Sequence, residues 1–132
     1  MSLIDGIGGV FLFSNDPRRL ADWYADCFGI VPASTGEGEA ECNAIYRTFE
    51  VRDADEPETR REIAWAILGS EHDIAGAPRT GQINYRVKDL GAVLHALGEK
   101  GVQVEKTAEY PYGHFAWLKD CDGNAVELWE PR

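Results

Sequence analysis

The chain has 132 residues, 44% of them apolar and 11% aromatic, which suits one domain with a hydrophobic core and argues against disorder. Its 23 acidic and 13 basic side chains leave a formal charge of −10, a surplus that repels phosphate backbones and anionic bilayers. No apolar run approaches the roughly 18 residues that span a bilayer, and no leader is read at the start, so a soluble cytoplasmic protein without nucleic-acid or membrane partners is expected.

The first expected strand is Gly9-Val10-Phe11-Leu12-Phe13-Ser14. Asn15-Asp16-Pro17 then reads as a helix N-cap followed by proline at the first helical position. Leu20, Trp23, Tyr24, Cys27 and Phe28 recur at helical spacing on one face, and Gly29 supplies the stop. A strand is expected from Val31 onward. Two more follow, from Asn43 to Val51 and from Glu62 to Leu68, on either side of the charged stretch Arg52 to Arg61, which reads as a mobile loop.

After the polar connector Ser70 to Gly81 the plan repeats. Gln82-Ile83-Asn84-Tyr85-Arg86-Val87 alternates polar and apolar, as a half-buried strand does. Asp89 is placed to cap a helix lined by Leu90, Val93, Leu94 and Leu97, and Gly101 ends it. Asp16 and Asp89 lie 73 residues apart and Gly29 and Gly101 lie 72 apart, so the register barely slips. A strand is expected at Val102 to Lys106. His114 to Lys119 and Ala125 to Glu130 then flank Asp120-Cys121-Asp122-Gly123-Asn124, a strong turn signal because glycine and asparagine tolerate positive φ. The fold class is therefore α+β: two βαβββ modules in tandem, about 5–69 and 81–131, building one domain over 1–132. Curved mixed sheets around a cavity are expected.

Alternation sorts the strand residues into two faces. If Val10, Leu12, Ile83, Tyr85 and Val87 pack under the helices, then Gly9, Phe11, Phe13, Gln82, Asn84 and Arg86 face the other way. A tight last turn sets Trp117 opposite Glu127, so Phe115, Trp117, Glu127 and Trp129 share a face and Ala116, Leu118, Val126 and Leu128 take the helix side. An aromatic face with few polar groups is the pattern of a small-molecule pocket, the alternative being a face buried against another module or subunit. Phe11, Phe13, Asn84, Arg86, Phe115, Trp117 and Trp129 are the candidate ligand contacts.

Glu127, flanked by apolar residues, either has a partner such as Arg86, sits at the rim, or serves a site, since burying a lone carboxylate is costly. Arg86 either pairs within the protein or holds an anionic ligand group. His114, at a strand start, is read as a surface or hinge residue or as an acid–base group. Cys27, Cys42 and Cys121 lack the spacing of a metal site or a disulfide framework; Cys27 is expected in the core and Cys121 in a turn. No glycine-rich phosphate loop or nucleophile–base pair is present.

Gly8-Gly9-Val10-Phe11-Leu12-Phe13 with Asp16-Pro17 and Trp23-Tyr24, Ile83 to Leu90, Asp120 to Asn124 and Glu127 to Pro131 together resemble the vicinal oxygen chelate proteins of the glyoxalase, bleomycin-resistance and extradiol-dioxygenase type. The resemblance covers nearly the whole chain, with Cys121 standing where such proteins usually carry proline. It implies a homodimer. It also implies four metal-ligand positions, which fall on Gly9, on Gln82, on Glu127 and within the apolar stretch Ile63 to Leu68, where Glu62 and His72 are only the nearest candidates. Gln82 and Glu127 are too few for a hard-cation or two-histidine iron site. The expectation is thus a small-molecule-binding protein without a cofactor or the full metal site. The alternatives are a metal-dependent lyase, isomerase or dioxygenase that keeps a depleted site with Gln82 and Glu127, and a metal-free enzyme using Glu127 or His114 as acid–base.

Overall fold

The computed structural model describes residues 7, 9–33, 44–77 and 82–132. The chain divides into two compact units at Ile74 and Ala75, with Asp26–Phe28 grouped in the second. No helix among the described residues is long and apolar enough to cross a membrane.

In the first unit, β1 (Gly9–Ser14) leads into α1 (Pro17–Phe28), and β2 (Ala44–Arg52) and β3 (Arg60–Gly69) form a hairpin. The sheet order is β1-β3-β2, with β1 parallel to β3. The caps are those expected. The Asp16 carboxylate accepts the Arg19 N–H at 3.1 Å, Pro17 opens the helix, and Gly29 closes it at φ 68°, where glycine pays no Cβ penalty. Leu20 and Tyr24 are fully buried, and the Tyr24 ring meets Trp65 edge-to-face at 5.0 Å.

The second unit holds β4 (Gln82–Arg86), α2 (Leu90–Glu99), β5 (Val104–Tyr110), β6 (Gly113–Lys119) and β7 (Ala125–Pro131). Its order is β4-β7-β6-β5, with β4 parallel to β7 and the others antiparallel. Asp89 caps α2 by accepting the Ala92 N–H at 2.9 Å. Leu90 and Leu97 bury themselves on the side of the sheet that carries Ala116, Leu118, Val126 and Leu128.

Two local expectations change and a third gains detail. Residues 31–33 carry no strand; there the chain is tied to β2 by the Ala33 N–H to Tyr46 carbonyl bond of 2.8 Å, and residues 34–43 lie outside the described ones. The strand after α2 starts later and runs longer than Val102 to Lys106, because the Val102 N–H is used to terminate the helix on the Leu97 carbonyl at 3.0 Å. The stretch Arg52 to Arg61 is a loop over residues 53–59, as expected, and its ends Arg52, Arg60 and Arg61 belong to the paired strands. Its turn is organised by Asp53, whose carboxylate accepts the N–H groups of Asp55 and Glu56 at 2.9 and 3.0 Å and pairs with Arg61 at 3.0 Å.

Candidate functional site

The sheet of the second unit has one face under α2 and one facing away from it. Each residue reaches its face through strand register. Asn84 pairs with Glu127 and Glu127 with Trp117, which in turn pairs with Lys106, so these four form one row across β4, β7, β6 and β5. The next row is Arg86, Trp129, Phe115 and Ala108. The expected pairing of Trp117 with Glu127 is therefore met, because the Asp120 turn leaves no slack. Asp120 is 94% buried and accepts the N–H groups of Asp122 and Asn124 at 2.9 and 2.8 Å and the Asn124 amide at 2.7 Å.

Glu127 is half-buried and both of its oxygens are engaged. Asn84 Nδ2 donates to one at 2.9 Å and Trp117 Nε1 to the other at 3.1 Å. Neither donor is charged. The expected pairing of Glu127 with Arg86 is not formed, and the carboxylate keeps its orientation through neutral hydrogen bonds alone. Around it the rings of Trp117, Phe115 and Trp129 stand nearly parallel: Phe115 lies 5.8 Å from Trp117 at 14° and 6.2 Å from Trp129 at 17°. Phe115 is buried in the middle as the spine of the stack, while both indoles are partly exposed. Lys106 Nζ lies 5.2 Å from the Trp117 ring centroid, a cation–π contact. Gly113 makes room for Trp129, whose Nε1 donates to the Tyr112 carbonyl at 3.2 Å; a Cβ on Gly113 would stand 2.5 Å from that nitrogen.

His114 belongs elsewhere. It pairs with Glu130 and so points to the α2 side, opposite to Glu127. Sequence reasoning offered the two as alternative acid–base residues, and the sheet separates them. His114 instead borders a cavity of about 580 Å³ beneath the start of α2, lined with Leu90, Leu94, Thr107, Glu109 and Glu130. There its Nε2 lies 3.9 Å from Glu109, which also binds Arg132, and Glu130 accepts the Leu90 N–H at 2.6 Å. Alternation outward from Phe115 already placed His114 on that side, and the role of Glu130 as a second cap for α2 carried no separate sequence signal.

Phe11 and Phe13 point away from the helix of the first unit and are about half exposed, as expected. Phe11 shares a row with Ala66 and Tyr46, and Phe13 with Leu68, while Thr48, Glu50 and Glu62 lie further along the same face. Among the cysteines, Cys42 lies outside the described residues, Cys121 is half-buried in the turn, and Cys27 is half-buried on α1. Burial, with a smaller push from the Asp26 carboxylate, raises the Cys27 thiol above its ordinary value, so it is a poor nucleophile at neutral pH.

With this arrangement in view, the family model described as the Glyoxalase/Bleomycin resistance protein/Dioxygenase superfamily matches residues 6–128. The chain belongs to that superfamily. Among solved structures of similar fold is a glyoxylase/bleomycin resistance protein/dioxygenase domain from Frankia sp. EAN1pec, with a TM-score of 0.63, 16% identity, and 98% of this chain and 99% of that one covered. TnmS3, an antibiotic binding protein from Streptomyces sp. CB03234, has a TM-score of 0.61 at 17% identity with all of both chains covered. Lactoylglutathione lyase from Agrobacterium tumefaciens has a TM-score of 0.63 at 15% identity, covering 98% of this chain and 96% of that one. At such identities the likeness is one of fold. No curated protein matches the chain in sequence.

A divalent ion held in the superfamily's manner does not suit the residues present. Gly9 offers no donor, and even a Cβ there would stand 2.9 Å from the Ala64 carbonyl oxygen. The β3 residues level with β1 on the face of Gly9 are Ala64, Ala66 and Leu68, and Glu62, paired with Glu50, follows on the same face beyond the β1 register. His72 lies beyond the end of that strand. Gln82 pairs with Ala125, two residues before Glu127, and of the four positions only Gln82 and Glu127 carry an oxygen donor, too few for a hard-cation or two-histidine iron site. No cluster of three or more His, Cys, Asp or Glu side chains able to hold a metal occurs among the described residues.

Proposed function

We propose that this superfamily member binds a planar small molecule without a metal ion, using the face of the second sheet that carries Glu127. One observation supports this above the others: Glu127 is a carboxylate held in place by two neutral donors beside a partly exposed stack of Trp117, Phe115 and Trp129. Such a group accepts a hydrogen bond from a ligand N–H or O–H in a fixed direction, while the indoles supply large apolar surface at little cost in side-chain entropy. A carboxylate neutralised by Arg86 would offer less. Ligand retention is the reading, and no chemical step is assigned.

Tryptophan fluorescence tests it. Titration with planar aromatic compounds that carry a hydrogen-bond donor is expected to quench emission saturably in metal-free buffer, and Trp129→Leu is expected to remove most of the response. Absence of any saturable change across a broad panel of aromatic metabolites and antibiotics would overturn the reading. A second copy of the chain is the proposed cover for the exposed Phe11 and Phe13 face, since apolar patches of this kind mark interaction surfaces. Sedimentation of a monomer at all concentrations would count against that part.

A further inference from the structure

We infer that the ligand carries an anionic group and that Arg86 binds it. This inference rests on the proposed binding face and adds to it the class of ligand. Arg86 shares the face of Asn84 and Glu127 and lies directly across from Trp129. It stands apart from the other described arginines. Arg18, Arg60, Arg61 and Arg132 pair with carboxylates, Arg47 and Arg52 donate to main-chain carbonyls, and Arg19 is also engaged. Among the described residues nothing holds the Arg86 guanidinium, although Glu127 lies only one diagonal step away on the neighbouring strand. The Glu127 oxygens are turned to Asn84 and Trp117 instead. The two opposite charges are thus kept apart by hydrogen bonds that the protein itself supplies.

Charge points the same way. A chain of formal charge −10 favours cations over most of its surface. Yet beside the aromatic stack two cations stand at its flanks, Arg86 next to Trp129 and Lys106 over Trp117. Lys106 is committed to its ring, while the Arg86 fork keeps the planar array of donors that takes a carboxylate through two hydrogen bonds. The matching ligand is a planar aromatic acid, its ring against the indole of Trp129 and its acidic group on Arg86. A neutral N–H or O–H on the same ligand would reach Glu127; a second negative charge there would be repelled.

The test uses planar aromatic carboxylates of increasing ring number, each paired with its carboxamide, such as naphthoate with naphthamide. Binding to the whole protein and to Arg86→Gln is followed by tryptophan quenching, with circular dichroism as the check on folding. The carboxylates are expected to bind the wild-type protein about tenfold more tightly than their amides, an advantage that shrinks with added salt and disappears in Arg86→Gln, where the amides bind as before. Equal binding of acids and amides to the wild-type protein would overturn this inference and leave the binding face standing. A preference for acids that survives Arg86→Gln would overturn Arg86 as its source. Quenching by neither class would overturn the inference together with the reading beneath it.

Discussion

The two sheets are built on one plan and present different surfaces. Each has a first strand parallel to its last, and each closes with a hairpin whose turn is organised by an aspartate accepting two backbone N–H groups, Asp53 in one and Asp120 in the other. On the face away from the helix, the first sheet offers Phe11, Ala66 and Tyr46 where the second offers Asn84, Glu127 and Trp117. A repeated backbone therefore does not dictate repeated chemistry. The second sheet has a carboxylate held in direction by two donors; the first has exposed rings with only the Tyr46 hydroxyl in the row of Phe11. Aspartate burial differs as well, since Asp120 is buried and Asp53 half-buried.

The largest effect expected from probing this contrast comes at the two close-packed glycines. Gly113 has φ 150° and a Cβ there would approach the Glu130 carbonyl oxygen to 2.4 Å as well as the Trp129 ring. Gly113→Ala should cost roughly 2–4 kcal/mol in urea unfolding. Gly9→Ala, with one tight backbone contact and no positive φ, should cost on the order of 1 kcal/mol. Equal costs would mean that the second sheet is no more tightly specified than the first.

Next come the aspartate turns. Asp120→Ala strands the N–H groups of Asp122 and Asn124 in a part-buried turn and should cost about 2–3 kcal/mol, read as a lowered urea midpoint. Glu127→Gln should weaken donor-bearing aromatic ligands about tenfold, near 1.4 kcal/mol, and leave their donor-free analogues unchanged in fluorescence titration. Phe11→Leu and Phe13→Leu should draw no such distinction; a selective loss there would erase the contrast between the sheets.

The smallest effect belongs to Asp53. The Glu56 N–H, then the Asp55 N–H and Arg61, hold its carboxyl below the usual carboxylate range. A lowered folded-state value means stability that is present above the unfolded value and lost as pH falls through the folded one. Asp53→Asn should therefore lower the melting temperature slightly at neutral pH, and the gap from wild type should close as the solution is acidified below the ordinary carboxylate range.

Much of this fold was legible because a few residues allow little choice. Asp16-Pro17 and Asp89 fix where helices begin, and Asp120 to Asn124 fixes a turn so tight that Trp117 had to face Glu127. Alternation then told which strand residues turn away from the helices, Phe11 and Phe13 included. Alternation assigns faces, however, and says nothing of partners. That Glu127 takes Asn84 and Trp117 and leaves Arg86 alone depends on side-chain reach across three strands, which no sequence period encodes. The start of β5 was misplaced for a similar reason, since Val102 has strand propensity but its N–H is spent on the helix end. His114 joined the candidate site through its chemistry, although its parity put it on the other side.

The strand order also bears on how the chain acquires this shape during synthesis. β4 lies at an edge and its neighbour β7 is the last of the second unit's strands to be made, so the Asn84 to Glu127 contact spans 43 residues. While the intervening sequence leaves the ribosome, β4 has no ladder to join and its Ile83 and Tyr85 have no sheet to complete. β7 has to be made before β4 can pair, which makes assembly of this unit depend on a late, non-local step. A ribosome paused before β7 would hold out an unpaired, half-apolar strand, the kind of edge that invites association with other chains.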